Sequence, residues 1–202
     1  MSGDSGSYGL SAFAEAFKHA EKVLKRFERI GGKSLDTAIN QLRYASRHYI
    51  EAQEAENEVL RGESLRKALS HCRRAEYDAI DASVAVIGAN IVDFDSKYLE
   101  SSIVAVIPDY ADAYAKATLH LAKLAEEESP RDVGSEELGA YGADLDALVA
   151  IWTNIAAKRP LVEKLDLEKR LELKTASRRH IITTLLSILA IAVAIALAAI
   201  LG

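Results

Sequence analysis

Apolar residues recur every three or four positions along most of the chain, which is the spacing of amphipathic α-helices. The first such stretch covers residues 10–30 and ends at Gly31-Gly32, since glycine accepts the left-handed conformation that often follows a helix. Ser34 is a suitable N-cap for a second helix that reaches Leu60. The N-terminal third therefore predicts a pair of helices.

The middle of the chain predicts a long, mostly buried third helix. Gly62 marks a tight bend, and Ser64 can cap the helix that follows it. The segment 84–92 is almost wholly apolar, which favours burial on most sides. Asp93 and Asp95 then interrupt the apolar pattern. We expect the helix to kink or break there.

Prolines and a polar loop divide the rest of the chain. Pro108 suits the first turn of a fourth helix, and residues 129–135 predict a loop. A fifth helix is expected to reach Lys158, and Pro160 allows a new helix to start. The predicted fold class is all-α: a helical bundle on a helical stem, followed by one C-terminal transmembrane helix.

The last segment predicts a membrane span. Residues 181–201 contain no charged side chain, and 21 residues in a helix extend about 31 Å, close to the roughly 30 Å hydrocarbon core of a bilayer. Basic residues precede it at Lys174, Arg178, Arg179 and His180. By the positive-inside rule, these residues predict a single-pass protein of the inner (plasma) membrane with a cytoplasmic N-terminal domain.

These patterns predict four regions. They are a flexible N-terminus (1–9), a cytoplasmic helical bundle (10–158), a basic juxtamembrane stem (159–180) and a transmembrane helix (181–202). The first nine residues lack the basic and apolar regions of a signal peptide.

One face of the predicted span consists of small or hydroxyl-bearing residues. They are Thr183, Ser187, Ala190, Ala194 and Ala198. Small residues at four-residue spacing allow helices in a membrane to approach closely, so this face predicts a homo-oligomer. Because a single helix cannot enclose water, self-association is also what a pore would require.

Composition narrows the possible partners and site chemistry. The formal net charge of −5 argues against a general nucleic-acid binder, and the lone Cys72 cannot form an intrachain disulfide. One cysteine and five scattered histidines predict no zinc site, and no Glu-x-x-His pair supports a di-iron bundle. We expect no metal, no cofactor and no enzyme.

A basic region of the second and third helices predicts a site for an anionic ligand. The candidate residues are Arg43, Arg47, His71, Arg73, Arg74 and Tyr77. Arginines bind phosphate well, and Tyr44 or Tyr77 could stack on a base, so a nucleotide or short oligonucleotide is the expected ligand. Ion pairing across the hairpin is the alternative. A turn at Gly62 would place Arg73 and Arg74 opposite Glu51, and Arg66 opposite Glu58.

Two segments match an Arg-x4-His spacing, Arg43 to His48 and Arg66 to His71. This spacing resembles the HEPN family of all-helical ribonucleases. The resemblance implies that arginine stabilises phosphate charge and that histidine transfers the proton.

In layout, a cytoplasmic helical domain, a basic patch and a terminal span resemble the single-span helical effectors of bacterial anti-phage systems, such as the Hailong effector. This resemblance implies an oligomeric ion channel in antiviral defence, controlled by a nucleotide-like ligand from a partner nucleotidyltransferase. The alternatives are a tail-anchored adaptor without pore activity and an anchored HEPN-like ribonuclease. The lipid bilayer and further copies of the chain are partners under the first hypothesis.

Overall fold

The computed structural model describes residues 5–126 and 135–201, with side chains described at residue 9 and in 11–123 and 138–189. Every element in these ranges is a helix, so the predicted all-α fold class is confirmed. The helices are α1 (Ser5–Gly31), α2 (Asp36–Glu54), α3 (Glu58–Lys97), α4 (Glu100–Val106), α5 (Tyr110–Glu126) and α6 (Ser135–Leu201). Residues 5–9, predicted to be flexible, are already part of α1.

The turn between α1 and α2 lies where the glycine pair predicts it. Gly32 has a positive φ of 65°, and its amide donates to the carbonyl of Glu28 at 2.9 Å. Leu35 rather than Ser34 is the N-cap of α2, without a side-chain cap bond, so the prediction for Ser34 was wrong.

The hairpin between α2 and α3 turns at residues 55–57, so the predicted turn at Gly62 was wrong. The deciding residue is Asn57, whose side chain accepts a hydrogen bond from the amide of Leu60 at 3.0 Å. Gly62 lies inside α3, where a Cβ atom would meet open space. An N-cap five residues earlier explains why this glycine marks no turn.

The central helix α3 packs against α1, α2, α5 and α6. Asp93 and Asp95 do not break it, because α3 continues to Lys97. Asp93 and Asp95 are exposed, whereas Phe94 between them is fully buried. Two charged residues on the solvent side of a helix do not require a break.

The helix α6 is continuous from the bundle to Leu201, so the predicted start of a new helix at Pro160 was wrong. Pro160 is exposed, and Val162 beyond it is fully buried in a cluster with Ile155 and Phe94. Packing on both sides of the proline therefore keeps the helix continuous despite the lost hydrogen bond.

A polar contact holds the upper stem to the bundle. The carboxylate of Asp166 accepts hydrogen bonds from the amide of Leu99 at 2.7 Å and from Arg170 Nε at 2.6 Å. Arg170 also donates to the carbonyl of Lys97 at 3.1 Å, and Lys169 donates to that of Ser101 at 2.7 Å. We call these contacts the stem clamp. Beyond them, residues 171–189 are exposed on every side.

Within the part of α6 and the other helices that the structure describes, no segment is long and apolar enough to cross a membrane. Ala190, Ala194 and Ala198 of the predicted oligomer face lie outside the described side chains.

Candidate functional site

The hairpin of α2 and α3 brings the histidines of both Arg-x4-His segments together. The rings of His48 and His71 are stacked, with centroids 5.2 Å apart and an interplanar angle of 13°. Fully buried small residues beneath them, among them Ala45 and Ala68, let the two helices approach closely. We call this arrangement the histidine pair.

A carboxylate holds His48. Its Nδ1 lies 2.7 Å from Glu51 Oε2, and Arg47 Nε donates to the other oxygen of Glu51 at 3.1 Å. The hydrogen bond with His48 is the main reason why the pKa of Glu51 lies below its usual value. An ionised Glu51 fixes the proton of His48 on Nδ1.

An amide holds His71. Its Nδ1 lies 2.7 Å from the side-chain oxygen of Gln41, and its ring lies 5.5 Å from that of Tyr44. Burial lowers the pKa of His71, and the nearby charges of His48 and Arg74 lower it further. His71 is therefore neutral at neutral pH. Because the amide oxygen only accepts, Nδ1 donates to it and Nε2 keeps its lone pair.

The two histidines thus have different environments, one beside a carboxylate and one beside an amide. Such a difference separates a proton donor from a proton acceptor, as acid–base catalysis requires. Among the described contacts, the motif arginines do not reach these rings: Arg43 donates to Asn40 at 3.2 Å, and Arg66 is exposed.

The predicted ion pairs across the hairpin do not form in the described part of the chain. Glu51 binds Arg47 and His48 of its own helix instead of Arg73 and Arg74. Glu58 binds Arg61 at 3.2 Å instead of Arg66. The physical reason is the earlier turn, which changes the residues that face each other across α2 and α3.

The predicted anion-binding residues lie on different faces of α3. His71 and Arg74 are near one another, since Arg74 affects the pKa of His71. Arg73 is exposed and lies about 200° around the helix from His71. Tyr77 packs edge-on against Tyr141 of α6, with ring centroids 6.1 Å apart. Arg43 and Arg47 are exposed on α2. Arg47 is thus linked to His71 through Glu51 and His48, whereas Arg73 points away from His71 and Tyr77 packs toward α6.

A second feature, which the sequence analysis missed, is a cleft of about 820 Å³ between α1, α3 and α6. Five cations of α1 line it: Lys18, Lys22, Lys25, Arg26 and Arg29. We call it the cationic cleft. The spacing of these cations in the sequence could have revealed a single basic face of α1. The cleft itself could not be inferred, because its other walls come from distant segments.

The described hydroxyls of the predicted oligomer face bond within their own helix. Thr183 donates to the carbonyl of Arg179, and Ser187 to that of Thr183, each at 2.9 Å. Within the described residues, no cluster of three potential ligands could hold a metal ion.

Comparison with protein-family models, curated proteins and solved structures found no match to this chain. The resemblances to HEPN ribonucleases and to Hailong-type effectors stay predictions.

Proposed function

We propose that this protein is a membrane effector whose copies assemble into an ion-permeable pore under the control of a cytoplasmic ligand. The single observation that carries the proposal is the continuity of α6. One helix contributes Leu145, Leu148 and Ile155 to the bundle core and continues to Leu201. A ligand-dependent change in the bundle can therefore reach the C-terminal segment without crossing a loop.

The exposed apolar side chains of α6 support a lipid partner. Large apolar residues from Ile181 to Leu189 are between 54% and 61% exposed on one side of the helix, and Thr183, Thr184 and Ser187 lie on the other side. Moving apolar surface out of water is favourable by about 25 cal/mol per Å². A bilayer can bury this apolar side, and it also accepts the hydroxyl side because each hydroxyl donates to a carbonyl of its own helix. The uncharged length from Ile181 to Leu201 fits the hydrocarbon core.

Self-association follows from the requirement for a water-filled path. The backbone groups of one helix are satisfied internally, so several copies must surround a pore. The face with Thr183, Ser187, Ala190, Ala194 and Ala198 is the proposed contact between copies. This layout is similar to the anti-phage effectors named above, and the proposal includes a role in abortive defence with a partner nucleotidyltransferase.

Dye release from liposomes tests the pore. The full chain is reconstituted with a trapped dye, and Ala194→Leu is compared with Ala196→Leu. The two positions lie about 200° apart on a helix, so both variants add the same volume to opposite faces. We expect Ala194→Leu to slow dye release by about tenfold or more and Ala196→Leu to change it little.

Two results would contradict the proposal. Equal release from both variants would exclude the alanine face as the contact between copies. Full biological activity after replacement of residues 181–201 by an unrelated anchor would favour the adaptor instead, because the segment would then serve only for localisation.

The histidine pair favours a second candidate function, cleavage of a phosphodiester such as RNA. Neutral His71 would accept the proton of the attacking hydroxyl on Nε2, and His48, when it carries a second proton on Nε2, would donate that proton to the leaving oxygen. Purified chain is assayed for RNA cleavage with His48→Ala and His71→Ala. His120→Ala is the matched control, because His120 bonds Asp144 in another part of the bundle. RNA that stays intact with the unsubstituted chain would exclude this candidate.

A further inference from the structure

The cationic cleft has the composition of a ligand site. Its rim carries the five α1 cations, and its floor includes the apolar side chains of Val23, Ile80 and Leu145. The volume of about 820 Å³ is within the usual range for small-molecule sites. A charged rim over an apolar floor suits a molecule with an anionic end and an organic body.

The charges of the cleft are only partly compensated within the described residues. Lys25 pairs with Glu21 at 2.9 Å, and Arg26 pairs with Asp146 of α6. Lys18, Lys22 and Arg29 have no ion pair in the described part of the chain. The buried Glu76 binds His19 at 2.9 Å rather than a lysine of the rim. Among the described lining residues, the five cations therefore outnumber the carboxylates of Glu21, Glu76 and Asp146.

We propose that the cationic cleft binds a small organic molecule that carries several phosphate groups. The cations extend from Lys18 to Arg29, a distance of about 16 Å along a helix. One carboxylate would meet only part of this row, whereas several phosphates would meet most of it. The apolar floor receives the organic part.

Under the proposed function, the position of the cleft favours a soluble molecule over a lipid. Leu145 in the cleft precedes Ile181 by 36 residues of the same helix, which corresponds to about 54 Å. A lipid headgroup in the proposed membrane lies too far away to enter the cleft. Because α6 forms one wall, the bound molecule contacts the helix that leads to the membrane. Its role as the controlling signal rests on the proposed function, but its binding does not.

Binding is measured by calorimetry on the full chain in detergent, with ATP, a short oligodeoxyadenylate and inorganic triphosphate as probes. ATP presents terminal phosphates and the oligonucleotide presents phosphodiesters, so the two organic probes distinguish the sources of phosphate. We expect at least one organic probe to bind about tenfold or more tightly than inorganic triphosphate. Failure of both organic probes to exceed triphosphate would overturn the proposal.

Two variants assign the binding to this cleft. Gly142 lines it, and a Cβ atom there would meet nothing within 4 Å. Gly142→Leu should fill the cleft and reduce affinity about tenfold or more, while raising Tm because leucine favours helix. Gly62→Leu is the control, since Gly62 is also helical and open but lies outside the cleft. Equal affinity in both variants would exclude this site.

Reversal of charge provides an independent measurement. Lys22→Glu with Arg29→Glu should weaken binding about a hundredfold, at about tenfold for each charge. Lys67→Glu with Lys116→Glu makes the same change in net charge at exposed positions of α3 and α5 outside the cleft. If both pairs weaken binding equally, the interaction is a general charge effect and the proposal fails. Because these assays use detergent, loss of binding is distinguishable from loss of dye release.

Discussion

Small side chains determine how closely α1, α2 and α3 approach. Ala38, Ala45 and Ala52 recur every seven residues on α2 and are fully buried. On α3, Ala68, Cys72, Ala75 and Ala79 are also fully buried. A seven-residue spacing returns to nearly the same helix face, and on this face Ala38 clusters with Ala75 and Ala79, and Ala45 with Ala68 and Cys72. Cys72 therefore acts as a small packing residue.

Cys72 should be inert toward thiol reagents in the folded protein. Its side chain is fully buried, and burial together with the nearby Glu76 charge raises its pKa to about 12. At neutral pH almost no reactive thiolate is present. We expect modification by N-ethylmaleimide to be slower by about a thousandfold or more than in urea.

The matched control carries Cys72→Ala together with Lys67→Cys, which moves the thiol to an exposed position of α3. This variant should react rapidly without urea. Rapid reaction of Cys72 in the folded chain would mean that α2 and α3 separate readily, contrary to the packing described.

At the level of the helices, the stem clamp connects the end of α3 and the start of α4 to α6. Leu99 is the N-cap of α4, and its amide donates to Asp166. Burial alone raises the pKa of Asp166, but the hydrogen bonds from Leu99 and Arg170 outweigh it and the net pKa lies below the usual value. The clamp therefore depends on an ionised Asp166.

Asp166→Ala should destabilise the bundle by about 1–3 kcal/mol at pH 7, because the Leu99 amide loses its acceptor. A lowered folded pKa stabilises the protein above the unfolded value, and this stabilisation disappears as pH falls through the folded pKa. The difference between the two proteins should therefore shrink below about pH 4. The difference in the free energy of unfolding is measured by urea titration, with Trp152 fluorescence as the signal.

Asp166→Asn separates the two contributions, since it retains an acceptor for Leu99 and loses the charge that binds Arg170. We expect an intermediate loss with little dependence on pH. An Asp166→Ala loss that stays constant from pH 7 to pH 3 would contradict the role of the ionised carboxylate.

Local signals predicted the helices better than their ends. Gly31-Gly32 ends α1 as predicted, because the positive φ of Gly32 is a property of the local sequence and needs no contact with a distant segment. Gly62 and Pro160 lie inside continuous helices, because Asn57 caps α3 five residues before Gly62 and buried residues on both sides of Pro160 keep α6 continuous. The histidine pair depends on which residues of α2 and α3 face each other, and the misplaced turn gave wrong neighbours. The cationic cleft is formed by three segments that are distant in sequence, so no single segment carries a signal that predicts it.

At the scale of the whole molecule, α6 joins the bundle, the stem and the C-terminal segment. Its continuity means that rotation of the bundle end about the helix axis rotates the other end with it. The stem from residue 171 onward is exposed, so added residues would not disturb the core. The rotational phase between the bundle and the C-terminal segment can therefore be changed separately from the fold.

Insertions between Lys174 and Thr175 test this coupling. Two added alanines rotate the C-terminal segment by about 200° relative to the bundle, whereas seven add nearly two full turns and restore the phase to within about 20°. We expect the longer insertion to retain ligand-dependent dye release and the shorter one to lose it. If dye release decreases with the length of the insertion instead of with the rotation that the insertion causes, transmission through a rigid helix would be contradicted.

The exposed end of the stem carries charge of one sign. Residues 173–202 contain no acidic residue, whereas Lys174, Arg178 and Arg179 are exposed before the uncharged segment. Around a pore formed by several copies, these side chains would make rings of positive charge at its cytoplasmic mouth. Such rings attract anions and repel cations. In a potassium chloride gradient, the reversal potential should lie nearer the chloride equilibrium value, and Arg178→Glu with Arg179→Glu should move it toward that of potassium.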